Sequence, residues 1–482
     1  MTVETNASGE TATGMPELRR VLGPIQLTAL GIGAIIGAGI FVITGTAAAQ
    51  YAGPAIVLSF VVAAVGCLFA GLCYAELAAM IPQSGSAYTY AYAAFGRLAA
   101  WIIGWDLMLE YGMAAGAVSV GWSGYFVSFM NGIGLHMPTA LTSAPVAAGE
   151  HGLVLTGAII NLPAVAIVVF LSALLLVGIR ESATVNGLMV LVKVGIVILI
   201  ILFGLPLIHA ENLTPFIPEN TGTFGEFGWS GILRAAGVIF FAYIGFDSVS
   251  VAAQEARNPQ RDLPFGILAS LAICTVLYIL MSMTMTGLVP YQQLAVANPV
   301  SVAIGAAPSL GWLLPWVDLA AILGLSTVIL VSMYGQTRIL YAMSNDGMLP
   351  WFSKVSPKSQ TPVAATLITG GFAAFLGGVF PIDVLGELVS IGTLLAFVLV
   401  CFGVIALRYT HPDVKRPFRV PLSPIVPLLG VLVCGAMMAG LPPDTWLRLG
   451  IWFGLGLVIF VLYSVRHAPA KAKFSLDFSV KK

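Results

Sequence analysis

The stretch Gly31-Ile-Gly-Ala-Ile-Ile-Gly-Ala-Gly-Ile-Phe41 lies in the middle of the first hydrophobic segment, which runs from about residue 24 to 50. As a helix, that segment is long enough to cross a bilayer core of ~30 Å. Yet each of Gly31, Gly33, Gly37 and Gly39 costs roughly 1 kcal/mol relative to Ala inside a helix. A plain anchor gains nothing from this. Irregular backbone at membrane depth is tolerated only where protein buries it or where it lines a cavity. The spacing therefore predicts a break, with a second half-helix beginning at Ala38 and Gly39. The open N–H groups and positive dipole end of that half-helix favour an anion. Gly33-x-x-x-Gly37 is also a close-packing motif for membrane helices, and the stretch alone does not separate the two readings.

The rest of the chain shows what the stretch is embedded in. Of 482 residues, 59% are hydrophobic and 9% are charged, and the mean hydropathy is +0.97. Soluble domains carry roughly 25% charged residues, so this is an all-α integral membrane protein in contact with the lipid bilayer. Twenty-one basic and 21 acidic residues cancel, which argues against nucleic acid as a partner. The five cysteines all fall in apolar segments and the five histidines in loops or tails. No zinc-like spacing, HExxH motif or in-span histidine appears, so neither an enzyme nor a metal cofactor is expected.

Twelve spans are read, at about 24–50, 54–81, 98–131, 158–179, 184–208, 229–256, 264–288, 312–343, 362–380, 384–408, 423–441 and 446–465. Residues 1–20 form a polar N-terminal tail and 467–482 a short basic C-terminal one. The loops 132–157, 209–228 and 289–311 contain no Lys or Arg. By the positive-inside rule these loops are outside and both termini are cytoplasmic. Residues 82–97 read as a short amphipathic helix on the inner surface, and residues 290–308 as short helices capping an outer vestibule.

Span six repeats the anomaly of span one in Phe240-Phe-Ala-Tyr-Ile-Gly-Phe-Asp-Ser248. Spans one and six are five apart and cross in opposite directions. Interrupted helices at matching places of two inverted halves mark the central site of a secondary transporter.

Several motifs in order now resemble the amino acid–polyamine–organocation superfamily. They are the Gly37-Ala-Gly-Ile-Phe41 break, Tyr74-Ala-Glu-Leu77, Ile81-Pro-Gln-Ser-Gly-Ser-Ala-Tyr88 and Phe241-Ala-Tyr-Ile-Gly-Phe-Asp247. Asn258-Pro-Gln-Arg-Asp-Leu-Pro264 and Tyr334-Gly-Gln-Thr-Arg-Ile-Leu-Tyr-Ala-Met-Ser-Asn-Asp-Gly-Met-Leu-Pro350 are similar to its cationic amino acid transporter branch. The resemblance covers about residues 20–410. It implies a five-plus-five inverted-repeat fold, with residues 21–210 and 225–410 as the two repeats and residues 411–466 as two additional spans. It also implies alternating access around one amino-acid site in a cell membrane. The substrate carboxylate would lie on the amides of Ala38, Gly39 and Ile40, and its ammonium on the carbonyls of Phe241, Ala242 and Ile244. Helix-end polarity agrees with both assignments. Phe241 is either a gate or ordinary packing. Whether the chain is a monomer or carries a small membrane subunit is left open.

Ionisable groups inside spans are functional suspects. Lys193 lies nine residues into span five, roughly 14 Å deep at 1.5 Å per residue, which is beyond easy snorkelling. The resemblance places it where a sodium ion sits in other relatives, which makes the proton the coupling ion. The alternative is a permanent cation bracing span one against span eight. Asp106 and Glu110 share one face of span three. Glu110 is a second proton carrier, a partner for Lys193, a contact for a basic substrate or a structural hydrogen-bonding group. Asp247 and Glu255 flank the inner half of span six, with Arg257, Arg261 or Arg338 as partners for Glu255. Arg234 points to the vestibule or to Glu226. Ser326 and Thr327 are more simply satisfied by local carbonyls than by a cation. Ser332, a small polar residue where the resemblance puts the side-chain pocket, leaves room for a long side chain. Ala115, Val118, Ile40 and Ala242 suit a small neutral amino acid such as alanine, so neutral and cationic substrates both stay open. A proton-coupled symporter is the leading reading, with an amino acid or polyamine exchanger on the same fold as the alternative.

Overall fold

The computed structural model describes residues 22–81, 86–149, 152–177, 183–251, 256–356 and 361–467. Both tails, residues 82–85 of the expected surface helix and Glu255 lie outside the described residues. The apolar segments read from the sequence are helical. Among the described residues, eight helices are long and apolar enough to cross a membrane, and four shorter apolar ones cover Pro24–Ile35, Leu162–Val177, Val363–Val379 and Ile425–Ala439.

The longest, Arg97–Gly132 (span three) and Leu314–Asn345 (span eight), pack along each other, and Ile382–Thr410 (span ten) lies against the first of them. Pro259–Leu288 (span seven) lies between Ile56–Met80 (span two) and the short Pro24–Ile35 helix. Leu22 and Ala256 form a parallel bridge, with Arg257 N–H on Leu22 O at 2.8 Å. This bridge ties the start of span one to the end of span six.

One region differs from the sequence reading. Ser86–Phe95 is a helix as expected, but it is buried rather than laid on the surface: Tyr88, Tyr90 and Tyr92 are 4%, 1% and 6% exposed. The pattern looked amphipathic because tyrosine carries a hydroxyl. In the fold, the Tyr88 hydroxyl finds a partner and donates to the half-buried Asp346 at 2.7 Å. Burial and that neighbouring carboxylate push the Tyr88 hydroxyl pKa up, so it remains a donor. The loop 132–157 holds an antiparallel hairpin of Val146–Gly149 and Gly152–Leu155, with Val146 opposite Leu155. Between spans seven and eight, Tyr291–Leu294, Pro299–Gly305 and Pro308–Leu313 are short helices, as expected.

On the opposite side, Glu76 near the end of span two is 1% exposed. Its carboxylate takes Arg408 Nη2 at 2.5 Å and Nε at 3.0 Å, together with Val420 N–H at 2.7 Å. Arg416 Nε lies 3.5 Å away. Two guanidiniums thus share one buried carboxylate. Removing one partner of such a group costs about 3–5 kcal/mol, because the charge left behind is uncompensated. Glu76→Ala is therefore expected to lower the thermal midpoint of the purified protein in detergent by far more than an exposed Glu219→Ala. Equal midpoints would mean that the pair stabilises nothing.

Candidate functional site

The break in span one follows its glycines. The Pro24–Ile35 helix stops where Ile36 turns extended (ψ 100°), and a new helix starts at Ala38. The new helix is wound as π-turns over Gly39–Ile43 and again over Ala48–Ala52, a device common at functional sites. Thr44 Oγ1 donates to Gly39 O at 2.8 Å and so supports the wide turn. The amides of Ala38, Gly39 and Ile40 precede the first bond of this half-helix, Phe41 N–H to Gly37 O at 3.2 Å. They are the open donors of a helix start.

In span six the Gly228–Ile239 helix tightens into one 3₁₀ turn, Phe240–Tyr243. Ile244 is then extended and Gly245 takes φ +121°, a conformation other residues adopt only with strain. The chain resumes as helix at Ser248–Val251.

The two breaks touch. A Cβ on Gly39 would run into Cα and Cβ of Ala242, and one on Gly245 would fall 2.7 Å from the Ala34 carbonyl carbon. Residues 34 and 39 of one break thus meet 245 and 242 of the other, which is an antiparallel crossing. The half-helix start with Ala38, Gly39 and Ile40 therefore faces the turn with Phe241, Ala242 and Ile244, as the sequence led us to expect. Phe241 itself is 7% exposed.

Lys193 is 1% exposed. Its Nζ donates to Gly33 O at 3.0 Å and Ile36 O at 3.2 Å, at the carbonyl end of the first half-helix. A Cβ on Gly324 of span eight would lie 3.1 Å from the lysine Cγ and Cε. The side chain therefore touches spans one and eight together. A residue that the sequence reading passed over completes the junction: the Tyr278 hydroxyl lies 2.8 Å from both Ile35 O and Ala242 O. It bridges the two breaks. Deleting one hydroxyl while leaving two buried carbonyls costs about 1–3 kcal/mol. Tyr278→Phe is expected to cut the initial uptake rate by about tenfold, since each ~1.4 kcal/mol is a factor of ten. An unchanged rate would leave the hydroxyl without a role.

For Glu110, whose role the sequence left open, the charges acting most strongly are Asp247 and Asp106, and Thr393 reaches its carboxyl. Asp247 is held by backbone N–H groups of Gly245 and Ser248 and by the Tyr111 hydroxyl, just before the second half of span six. Ser326 donates to Ile322 O at 2.8 Å and Thr327 to Gly324 O at 2.7 Å, both local as expected. Ser326 also accepts from Trp122 Nε1 at 2.9 Å. Ser332 is 7% exposed. It lies one turn beyond Val328, whose Cγ2 would be 3.0 Å from a Cβ on Gly37. Ala115 and Val118 are fully buried.

Arg234 does not pair with Glu226, whose carboxylate accepts from the Thr221 hydroxyl at 2.6 Å. Its guanidinium lies 4.4 Å from the Tyr51 ring centre, beside a cavity of about 120 Å³ that Asp383, Glu387 and Arg448 also line. This is the vestibule alternative. Of the expected partners of Glu255, Arg338 stacks on Tyr334 at 4.8 Å.

With this geometry in view, comparison with known proteins decides the family. The model of the amino acid permease family matches residues 22–463. The chain belongs to that family. It is thus a membrane transporter and not an enzyme. The chain is 48% identical over 458 residues to a branched-chain amino acid permease of Bacillus subtilis, covering 95% of each chain. It is 44% identical over 455 residues to a methylthioribose transporter of the same organism, covering 94% of this chain and 95% of that one. A vacuolar cationic amino acid transporter of Arabidopsis thaliana is 39% identical over 412 residues, or 85% of this chain and 66% of that one. Family and relatives agree on a multi-pass membrane transporter; the family model and the permease and cationic-transporter relatives support amino-acid transport, while the methylthioribose transporter is named for another substrate.

Proposed function

We propose that the transporter carries L-amino acids by alternating access, with a proton moving in the same direction. The observation that carries this reading is the antiparallel contact of the two breaks. A half-helix start favours an anion and the carbonyls of a helix end favour a cation, so a zwitterion suits the place where the two breaks meet. In this reading Ala38, Gly39 and Ile40 take the carboxylate, and Phe241, Ala242 and Ile244 take the ammonium. Ser332 borders the side-chain pocket. Small neutral side chains are favoured by the apolar surroundings, and the name of the branched-chain permease extends the range to leucine, isoleucine and valine. The architecture that goes with this function has twelve crossings as two inverted repeats of five plus two. Both termini are cytoplasmic, and the membrane is the plasma membrane.

Proton coupling rests on Lys193, whose ammonium occupies the carbonyl end of the first half-helix, where another cation would otherwise bind. Glu110, buried beside Asp247 and Asp106, is a second carrier in this scheme. The exchanger reading differs in one measurable respect. Proteoliposomes without internal amino acid should accumulate labelled leucine under symport, whereas an exchanger requires preloading.

A further inference from the structure

Asp318, near the start of span eight, is a buried acid that the transport scheme above does not use; it is 2% exposed. An ionisable group in such a place is costly and calls for a function. Its two oxygens are shared between two other elements. Ser301 Oγ donates to Oδ1 at 2.5 Å and Ser128 Oγ to Oδ2 at 2.8 Å. Ser301 belongs to the short Pro299–Gly305 helix and Ser128 to span three. Among the described residues no cation acts on the carboxylate, so the two hydroxyls hold it.

The short helix is seated by close backbone approach rather than by interlocking side chains. A Cβ on Gly45 of span one would lie 2.3 Å from Pro299 Cβ, and one on Gly124 of span three 2.5 Å from Ala297 Cβ. Surfaces of this kind allow a near approach, and they part without dislodging a neighbouring side chain. Polar bonds then decide whether the helix stays. Tyr125, fully buried in span three, accepts from Val300 N–H and donates to Phe41 O. Phe41 follows Ile40, so this contact reaches the half-helix whose amides are assigned to the substrate carboxylate. The bonding at Asp318 suits a catch that opens. Hydrogen bonds to a charged acceptor are stronger than neutral ones, yet lifting the helix exposes Asp318 to water, which replaces the lost donor and keeps the net cost modest.

We propose that Asp318 is a positioning residue that latches the Pro299–Gly305 helix over the second half of span one. Release of its bond to Ser301 lets the helix lift and opens a path to the helix breaks, from the outer side in the orientation given above. The inference rests on the alternating-access reading, in which that path opens once per cycle.

Labelling of the purified full chain in detergent with a bulky maleimide tests it. Ala303→Cys is the reporter, since Ala303 lies on the buried face of the short helix. The five native cysteines, all buried, are the internal control. Asp318→Asn and Ser301→Ala are each expected to speed labelling of the reporter about tenfold, the equivalent of ~1.4 kcal/mol, with the native cysteines unaffected. In proteoliposomes the same two changes, made without the reporter, should lower both the KM for external leucine and the maximal rate. The outward-open form gains population, while closure loses its catch. Unchanged labelling in both variants overturns the latch. Labelling that rises equally at the native cysteines, or a maximal rate that falls with KM unchanged, gives Asp318 a purely structural role and also overturns it. In the chain carrying the reporter alone, leucine is expected to change the labelling rate. A rate that leucine leaves unaltered overturns the amino-acid reading and this inference with it.

Discussion

Lys193→Ala is expected to abolish accumulation of amino acid driven by an inward proton gradient. Two buried carbonyls, Gly33 O and Ile36 O, lose their donor, and each unmade bond costs about 1–3 kcal/mol. Lys193→Arg is not expected to restore function. A guanidinium keeps its proton under all physiological conditions, and the Gly324 face packs too closely on the lysine stem to admit a wider head. Comparing two assays separates the two roles considered for this residue. If Lys193 carries the proton, the Ala variant loses gradient-driven accumulation while still exchanging labelled for unlabelled amino acid across the membrane. If it only braces span one against span eight, both activities fall together. Accumulation that survives unchanged would remove Lys193 from the coupling scheme.

Gly245→Ala and Gly39→Ala carry the second large effect. A Cβ at Gly245 meets Ala34 backbone at 2.7 Å and also forces a non-glycine residue to φ +121°. Overpacking costs about 1–3 kcal/mol and backbone strain of this kind a further ~1–3 kcal/mol. Gly39→Ala brings Cβ into Ala242 without a conformational penalty, since the residue lies in a helical turn. Both variants should lose uptake by at least about tenfold at ~1.4 kcal/mol per decade, with Gly245→Ala the more severe. Gly96→Ala serves as a control, because Gly96 also has positive φ (+81°) but nothing lies within 4 Å of its Cβ position. If all three variants behave alike, the contact between the breaks has no special part in transport.

The sequence made these positions legible because glycine in a span is costly and therefore marked. Four glycines within nine residues, and a Gly-Phe-Asp after an aromatic run, stand out against helical expectation without any knowledge of neighbours. Tyr278 carried no such mark. A tyrosine in an apolar span reads as core, and the carbonyls it bridges are 36 and 243 residues away in the chain. Asp383 and Glu387 carried no mark either, since only the fold brings acids at the start of a span beside Arg234 and Arg448. The burial of Ser86–Phe95 was obscured by its tyrosines, whose hydroxyls imitate a polar face until their partners are known. Depth alone left the role of Glu110 open, since it says nothing about which way a helix face points. Local strain was therefore readable, and long-range pairing was not.

The most direct test of the account is uptake of labelled leucine, alanine and arginine into sodium-free proteoliposomes, with and without an inward proton gradient. The account predicts concentrative uptake of leucine or alanine only when the gradient is imposed, with no internal amino acid required. Uptake that occurs only into preloaded vesicles, whatever the gradient, would contradict it.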